Sequence, residues 1–441
     1  MKSIFFCCQI TNYFRLFLGI LLSFSLLFLS GCESNLHKDS NVIHLTLWQS
    51  INPPTNRDVF QRLVKKFNQK YSDIQVDSVY AEGLPKILTA VVGNSPPDIL
   101  SFYPQLTGQF VELGAIVPLE QWFDQLAVKS EVIPNAMEEL KLDGHLWSIP
   151  LYTSNIAIFY RPKLFEAGGI KELPKSWEEL RQVAKKLTID KNGDGRLDQH
   201  GILLPLGKKE WTVFSWFPFL LSAGGEIVTN GYPNLTNPGA ITALKFWESL
   251  IKDGSAILSA PERGYEEDDF VAGRVAMQIT GPWTYITRSK VDYNLFSIPT
   301  KLKKATVIGG GNLYVMKTNP AREKAALRFL EFVMSEEFQT EWSVGTGFLP
   351  VNINSAKSPT YQEYLRSKPW LKVFIEQMSV ARPRPVIAGY NRLSNSLDRA
   401  IESTLMGKSS AELALKEAQE RLELIWNTES RKTPPVSKAK L

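Results

Sequence analysis

The stretch that decides the fold is VIHLTLWQSINPPTNRDVFQRLVKKFNQKYSDIQVDSVY, residues 42–80. VIHLTLW (42–48) alternates apolar and polar residues with period two, as a strand with one covered face does. Over Asp58 to Tyr71, Val59, Phe60, Leu63, Val64 and Phe67 recur at helical spacing. IQVDSVY (74–80) returns to strand character. A strand, a crossover helix and a second strand in this order predict a parallel α/β unit.

Working outward, AIFY (157–160) and NLYVM (312–316) read as buried strands. Helical patterns occupy roughly 176–187, 237–252, 320–334 and 409–426. No repeat with a period of about 20–50 residues is visible. The whole chain has 441 residues, long enough for two or three lobes that each bury a core. Charged residues make up 22% and hydrophobic ones 44%, which excludes a disordered tail and a multi-span membrane protein. Lys and Arg exceed Asp and Glu by only five, 50 against 45, and are dispersed, so no nucleic-acid footprint is present.

The N-terminus reads as an address. Lys2 and Arg15 precede the apolar run LFLGILLSFSLLFL (16–29), which leads into LSGC ending at Cys32. That run is too short for a membrane-spanning helix, which needs roughly 20 residues, and a small-residue cleavage site follows it. Residues 1–31 are therefore expected to be a signal peptide. LSGC resembles the bacterial lipobox, which makes Cys32 the expected lipidation site. Residues 32–41 form a polar tether and 431–441 a frayed tail. The other cysteines are Cys7 and Cys8, so the body carries no disulfide and no thiolate ligand. Such a chain suits an exported protein, lipid-anchored to a membrane and facing the periplasm or the cell exterior.

Chemistry-bearing motifs are sparse. The four histidines are scattered, and no nucleophile elbow, zinc motif or phosphate-binding loop occurs. A carboxylate pair for glycan hydrolysis would have to come from Asp98 or from the run Glu266 to Asp269, which reads more simply as a solvated face. DKNGDGRLD (190–198) puts Asp190, Asn192, Asp194 and Asp198 at positions 1, 3, 5 and 9 of a calcium loop. Gly201 stands where the bidentate Glu belongs, so an Asp/Gly-rich turn is favoured over a structural calcium. No other cofactor is expected. Aromatic residues carry more information: 11 Trp, 14 Tyr and 24 Phe. Trp48, Tyr103, Tyr152, Trp216 and Trp283 sit beside Gly, Pro or small polar residues, as rings facing a sugar in a cleft would.

With these segments laid out, the chain resembles the bacterial extracellular solute-binding proteins of carbohydrate ABC transporters. The resemblance rests on LTLWQS (45–50), GNSPPDIL (93–100), LDGHLWSIPLYTSNIAIFYRPKLFEAGG (142–169), PKSWEEL (174–180), FVAGRVAMQITGPW (270–283), VIGGGNLYVM (307–316) and GTGFLPVN (345–352), in the family's order. Arg161 departs from the Asn usual after the strand-ending Tyr. The resemblance implies an α/β fold of two lobes, a periplasmic-binding-protein-like architecture with an interlobe ligand cleft and a multi-segment hinge. By analogy one lobe comprises 42–150 and 303–335 and the other 151–302 and 336–430, with crossings near Pro150 and Pro299.

It further implies a monomeric binding protein, not an enzyme, that takes a sugar, polyol or sugar phosphate and delivers it to ABC permease subunits. Trp48, Tyr103, Ser154, Trp283 and Gly310 match positions where family members touch ligand. Glycerol-3-phosphate binders belong to the same group, and for a phosphate or phosphodiester Arg382 and Arg384 could supply the donors. A secreted glycan-active enzyme is the less favoured alternative.

Overall fold

The computed structural model describes residues 42–137, 140–207, 210–259 and 268–430. The expected signal peptide (1–31), Cys32 and the rest of the expected tether (33–41), residues 431–441 and Glu266–Glu267 lie outside the described residues. The first sheet uses β1 (Ile43–Gln49), β2 (Ile74–Tyr80), β3 (Ile99–Phe102) and β4 (Ile149–Ser154). The second uses β5 (Ala157–Tyr160), β6 (His200–Leu204), β7 (Ala256–Leu258), β8 (Val275–Thr280) and β9 (Asn294–Phe296). The chain then returns through β10 (Thr306–Val307) to β11 (Gly309–Val315) in the first sheet, and later forms β12 (Ala381–Arg382) beside β10. The helices that matter below are α1 (Pro54–Lys70), α2 (Trp177–Lys186), α3 (Trp211–Ser222), α4 (Pro238–Lys252), α5 (Pro320–Met334), α6 (Glu336–Thr346), α7 (Tyr390–Leu405) and α8 (Ala411–Ser430). Among the described residues no helix is long and apolar enough to cross a membrane.

The two sheets have orders β2-β1-β3-β11-β4 and β7-β6-β8-β5-β9. β1 runs parallel to both β2 and β3, with Leu45 opposite Val76 and Leu47 opposite Ile99. The parallel unit expected from residues 42–80 is present, and α1 buries the helical stripe of Val59, Phe60, Leu63, Val64 and Phe67. In the first lobe Phe60 and Phe67 pack with Phe329, Phe338 and Trp342. In the second, Ile158 and Met277 of the sheet meet Trp177, Trp216, Trp247, Leu397 and Leu415 from α2, α3, α4, α7 and α8. α2 starts where its sequence says it should: the Ser176 hydroxyl accepts from Glu179 N–H at 3.2 Å, and the Glu179 carboxylate reaches back to the Ser176 N–H.

The boundaries differ from the expected ones. Residues 336–346 were assigned to the second lobe, yet α6 packs on α1, with Phe338 and Trp342 at 6.3 and 5.9 Å from the Phe60 ring. Ser335 is an N-cap that turns α5 into α6, so the chain stays in the first lobe there. The first crossing falls at Asn155, between β4 and β5, because Pro150 is inside β4 opposite Asn312. The Asn155 amide is fully buried, donating to the Phe374 carbonyl at 2.7 Å and accepting from Gln377 at 3.0 Å. Pro299 belongs to the second lobe, where its carbonyl accepts from the Trp177 indole at 3.0 Å. The return crossing is Ile308, between β10 and β11.

Asp98, one of the carboxylates considered for catalysis, has a structural position. It is 1% exposed and ties β1 to α5: the Thr46 N–H donates to it at 2.7 Å, and the Arg322 guanidinium binds it through Nε and Nη2. Asp98→Asn should cost about 2 kcal/mol of stability, since it replaces a charge-assisted fork by one neutral bond and leaves a donor facing a donor. Denaturant titration of the purified variant checks this.

Candidate functional site

The parallel strands β1, β2 and β3 all end on the same edge of the first sheet; Tyr80 closes β2, and the loops that follow the strands carry Ser50, Asn52, Glu82 and Tyr103. Ligands of open α/β sheets bind outside the carboxyl ends of the strands. Facing these loops is the second lobe's contribution: Glu210 and Trp211 at the start of α3, Trp283 and Thr284 after β8, and Arg384 after β12. Gly309 and Gly310 at the return crossing close the back. Together they enclose an interlobe cavity of about 440 Å³. At its rim Arg288 of the second lobe reaches the start of α1, donating to Asn56 at 2.9 Å and to the Thr55 hydroxyl.

One wall is a chain of rings. Tyr152 stacks on Phe348 at 3.8 Å and 21°, and Phe348 lies 5.6 Å from Trp283. Trp283 meets Trp211 edge-on at 6.2 Å, and Trp211 continues to Phe214 at 6.0 Å. Glycines make this closeness geometrically feasible. A Cβ on Gly309 would come within 2.7 Å of the Phe214 ring, and one on Gly311 within 2.8 Å of Tyr152. The Trp283 indole folds back over Gly281, where a Cβ would sit 2.2 Å from the ring. Gly281→Ala must therefore displace the indole. It is expected to change the intrinsic tryptophan fluorescence and to weaken ligand binding about as much as shortening Trp283 itself.

Polar groups complete the lining. Arg384 is 3% exposed and stands over the Phe214 ring at 4.7 Å. Its Nη1 donates to Glu210 Oε1 at 2.8 Å. The same carboxylate accepts from the Tyr390 and Ser394 hydroxyls. Tyr80 donates to Glu82 at 2.9 Å. Burial raises the Tyr103 hydroxyl above the ordinary tyrosine range, only partly offset by Arg384, so it faces the cavity as a neutral phenol. Rings can cover the C–H faces of a bound solute while these groups pair with its hydroxyl or anionic groups.

Of the residues singled out from sequence, Tyr103, Tyr152, Trp283, Gly310 and Arg384 line this cavity together. Four others do not. Trp216 is fully buried in the second lobe's core. Ser154 is fully buried in β4, its hydroxyl donating to the Asn155 carbonyl at 3.3 Å. Trp48 packs in the first lobe with the Lys86 ammonium 5.1 Å from its ring, outside the cavity. Arg382 is exposed and donates to the carbonyl of Ala381. Glu210, Trp211, Phe214, Phe348, Tyr80 and Glu82 were not foreseen.

In the calcium-like loop the acidic and amide side chains bond backbone N–H groups of the loop itself. Asp190 accepts from the N–H groups of Gly193 and Gly195 at 2.7 and 2.8 Å, Asp194 from Arg196 at 2.8 Å, and Asp198 from Lys191 at 2.7 Å. Asn192 Oδ1 accepts from Asp194 N–H at 3.0 Å. These backbone bonds hold the Asp190 carboxyl below the usual range, and among the described residues no three His, Cys, Asp or Glu side chains converge as metal ligands.

Residues 62–367 match the family model described as bacterial extracellular solute-binding protein. The sn-glycerol-3-phosphate-binding periplasmic protein UgpB of Salmonella typhimurium is 25% identical over 410 residues, covering 86% of this chain and 92% of that protein. Among solved structures, the cyclic alpha-maltosyl-1,6-maltose binding protein of Arthrobacter globiformis superposes with a TM-score of 0.73 at 24% identity, covering 88% of this chain and all of the other. UgpB of Mycobacterium tuberculosis, in complex with glycerophosphocholine, gives 0.77 at 19% identity over 87% and 98% of the two chains. These two structures share the two-lobe fold. With a family model spanning most of the body, the chain belongs to the bacterial extracellular solute-binding proteins.

Proposed function

We propose that this chain is the capture subunit of an ABC importer, closing its two lobes on a sugar or polyol and presenting it to the permease. The observation that carries this reading is the interlobe cavity of about 440 Å³, walled by the ring chain from Tyr152 to Phe214 and faced by Glu82, Glu210, Tyr103 and Arg384. Both lobes contribute to it, so a solute that touches both favours the closed state over the open one. A second reading, a glycerophosphodiester as ligand, is favoured by one specific feature: a guanidinium that is 3% exposed in the cavity wall. Resemblance to the UgpB proteins supports it as well.

A thermal-shift screen of sugars, polyols and their phosphates and diesters tests the proposal, because a ligand of the folded state must raise the melting temperature. Recovery of the hit unchanged after long incubation separates a receptor from a glycan-active enzyme, which would consume it.

The lipid anchor completes the proposal. A diacylated Cys32 would hold the body at the membrane through residues 33–41. Cys32→Ser is expected to leave the protein unprocessed or release it from the membrane. Wild-type membrane association and processing in that variant would reject the anchor.

A further inference from the structure

We propose that Glu210 is a specificity-determining residue that sets the charge the cavity accepts: by holding Arg384 in an ion pair, it admits uncharged solutes and phosphodiesters and discriminates against dianionic phosphate monoesters. This rests on the solute-binding reading above and deepens it.

The geometry is that of a fixed counter-charge. Arg384 is the one cationic side chain among the described residues that line the cavity, whereas Glu82 and Glu210 both present carboxylates there. Glu210 Oε1 takes the Arg384 Nη1 bond and the Tyr390 hydroxyl, and Oε2 takes the Ser394 hydroxyl. Tyr390 and Ser394 are each 2% exposed on α7, so the donors that hold the carboxylate are packed in place and do not depend on solvent. Three donated bonds fix the orientation of the carboxylate. A ligand anion that approaches Arg384 therefore meets a guanidinium already paired with a carboxylate 2.8 Å away that lines the same cavity. Because Glu210 and Glu82 both line the cavity, each negative charge on a ligand is placed near two carboxylates, and a dianion is repelled more than a monoanion.

The other titratable groups around Glu210 are Tyr103 across the cavity, Tyr390 above it, and Asp398 on the next turns of α7. Burial chiefly raises the Tyr103 and Tyr390 hydroxyls, and neither supplies positive charge near neutral pH. Burial, with Glu402 and Glu210 adding to it, also raises the Asp398 carboxyl to about 6, against a Thr212 bond that lowers it.

The experiment is calorimetric titration of the wild type and Glu210→Gln with three probes: sn-glycerol-3-phosphate, glycerophosphocholine and maltotriose. At pH 7.5 the wild type is expected to bind the monoester at least about tenfold more weakly than the better of the other two. In Glu210→Gln that gap should narrow by about tenfold or more, with the monoester gaining more than the diester. A wild type that prefers the monoester, or a folded Glu210→Gln with an unchanged gap, overturns the filter while leaving solute binding in place. Wild-type binding of none of the three overturns the solute-binding reading and the filter together.

A second measurement needs no variant. The second ionisation of a phosphate monoester lies at about pH 6. Lowering the pH from 7.5 to 5.5 should therefore narrow the wild-type gap, because the monoester loses its extra charge and the diester does not. Protonation of Asp398 over the same range acts on both ligands, and the diester corrects for it. A gap that stays constant with pH would contradict the proposal even where Glu210→Gln fails to fold.

Discussion

Trp283→Ala should weaken binding of the physiological solute by about five- to a hundred-fold. The indole lines the cavity and is half-buried, with Phe348 5.6 Å away on one side and Trp211 6.2 Å away on the other. A ring held this way cannot swing aside, so the platform it offers a ligand is preorganised. Burying that face contributes roughly 1–3 kcal/mol through area and packing. At about 1.4 kcal/mol per decade, the affinity loss follows. The ring also touches both lobe cores. Some loss of stability without ligand should accompany the change, smaller than for a fully enclosed tryptophan. Calorimetric titration paired with melting of the free protein separates the two effects. An unchanged affinity with a large fall in stability would make Trp283 a packing residue.

Trp216→Ala is the contrasting case, with the largest expected effect on stability. Trp216 sits five residues along the same helix from the cavity-lining Trp211, and is fully buried among the packed residues of the second lobe. Truncating a buried Trp costs about 3–5 kcal/mol through lost transfer free energy and the cavity left behind. Its indole N–H has no acceptor among the described residues, so its removal relieves one unsatisfied donor and places the cost toward the lower end. Denaturant unfolding measures this. Whatever folded protein remains should bind solute with near wild-type affinity, and a selective loss of affinity would return Trp216 to the cavity wall.

The difference between these two tryptophans shows where the sequence stops being readable. WTVFSWFPFLLS, residues 211–222, is apolar nearly throughout and every residue of α3 is buried. Periodicity cannot rank its faces, and five residues at about 100° each put Trp211 and Trp216 on widely separated sides. The elements themselves were legible. The pattern over 320–334 coincides with α5, 74–80 with β2, and 237–252 with α4 to within a residue. Each rests on local periodicity, and the two helices also on a local start signal, Asn319–Pro320 and Asn237–Pro238.

The lobe boundary at 335 misplaced α6 because nothing local distinguishes a turn between two packed helices from a crossing between lobes. The site was partly legible where an aromatic follows a strand or a Gly-Pro pair, as at Tyr103 and Trp283. Glu210 was not, since its meaning depends on Arg384, 174 residues away, and on Tyr390 and Ser394 beyond it. A carboxylate before a hydrophobic helix gives no sign of its partner.

The central claim is that the solute lies between the lobes and touches both. Diffraction from crystals grown with a ligand that raises the melting temperature tests it most directly. The account predicts difference density in the cavity, lying against Trp283 and within hydrogen-bonding distance of groups from both lobes, Tyr103 or Glu82 on one side and Arg384 or Glu210 on the other. Density on an outer face, in contact with a single lobe and with the cavity empty, would contradict it.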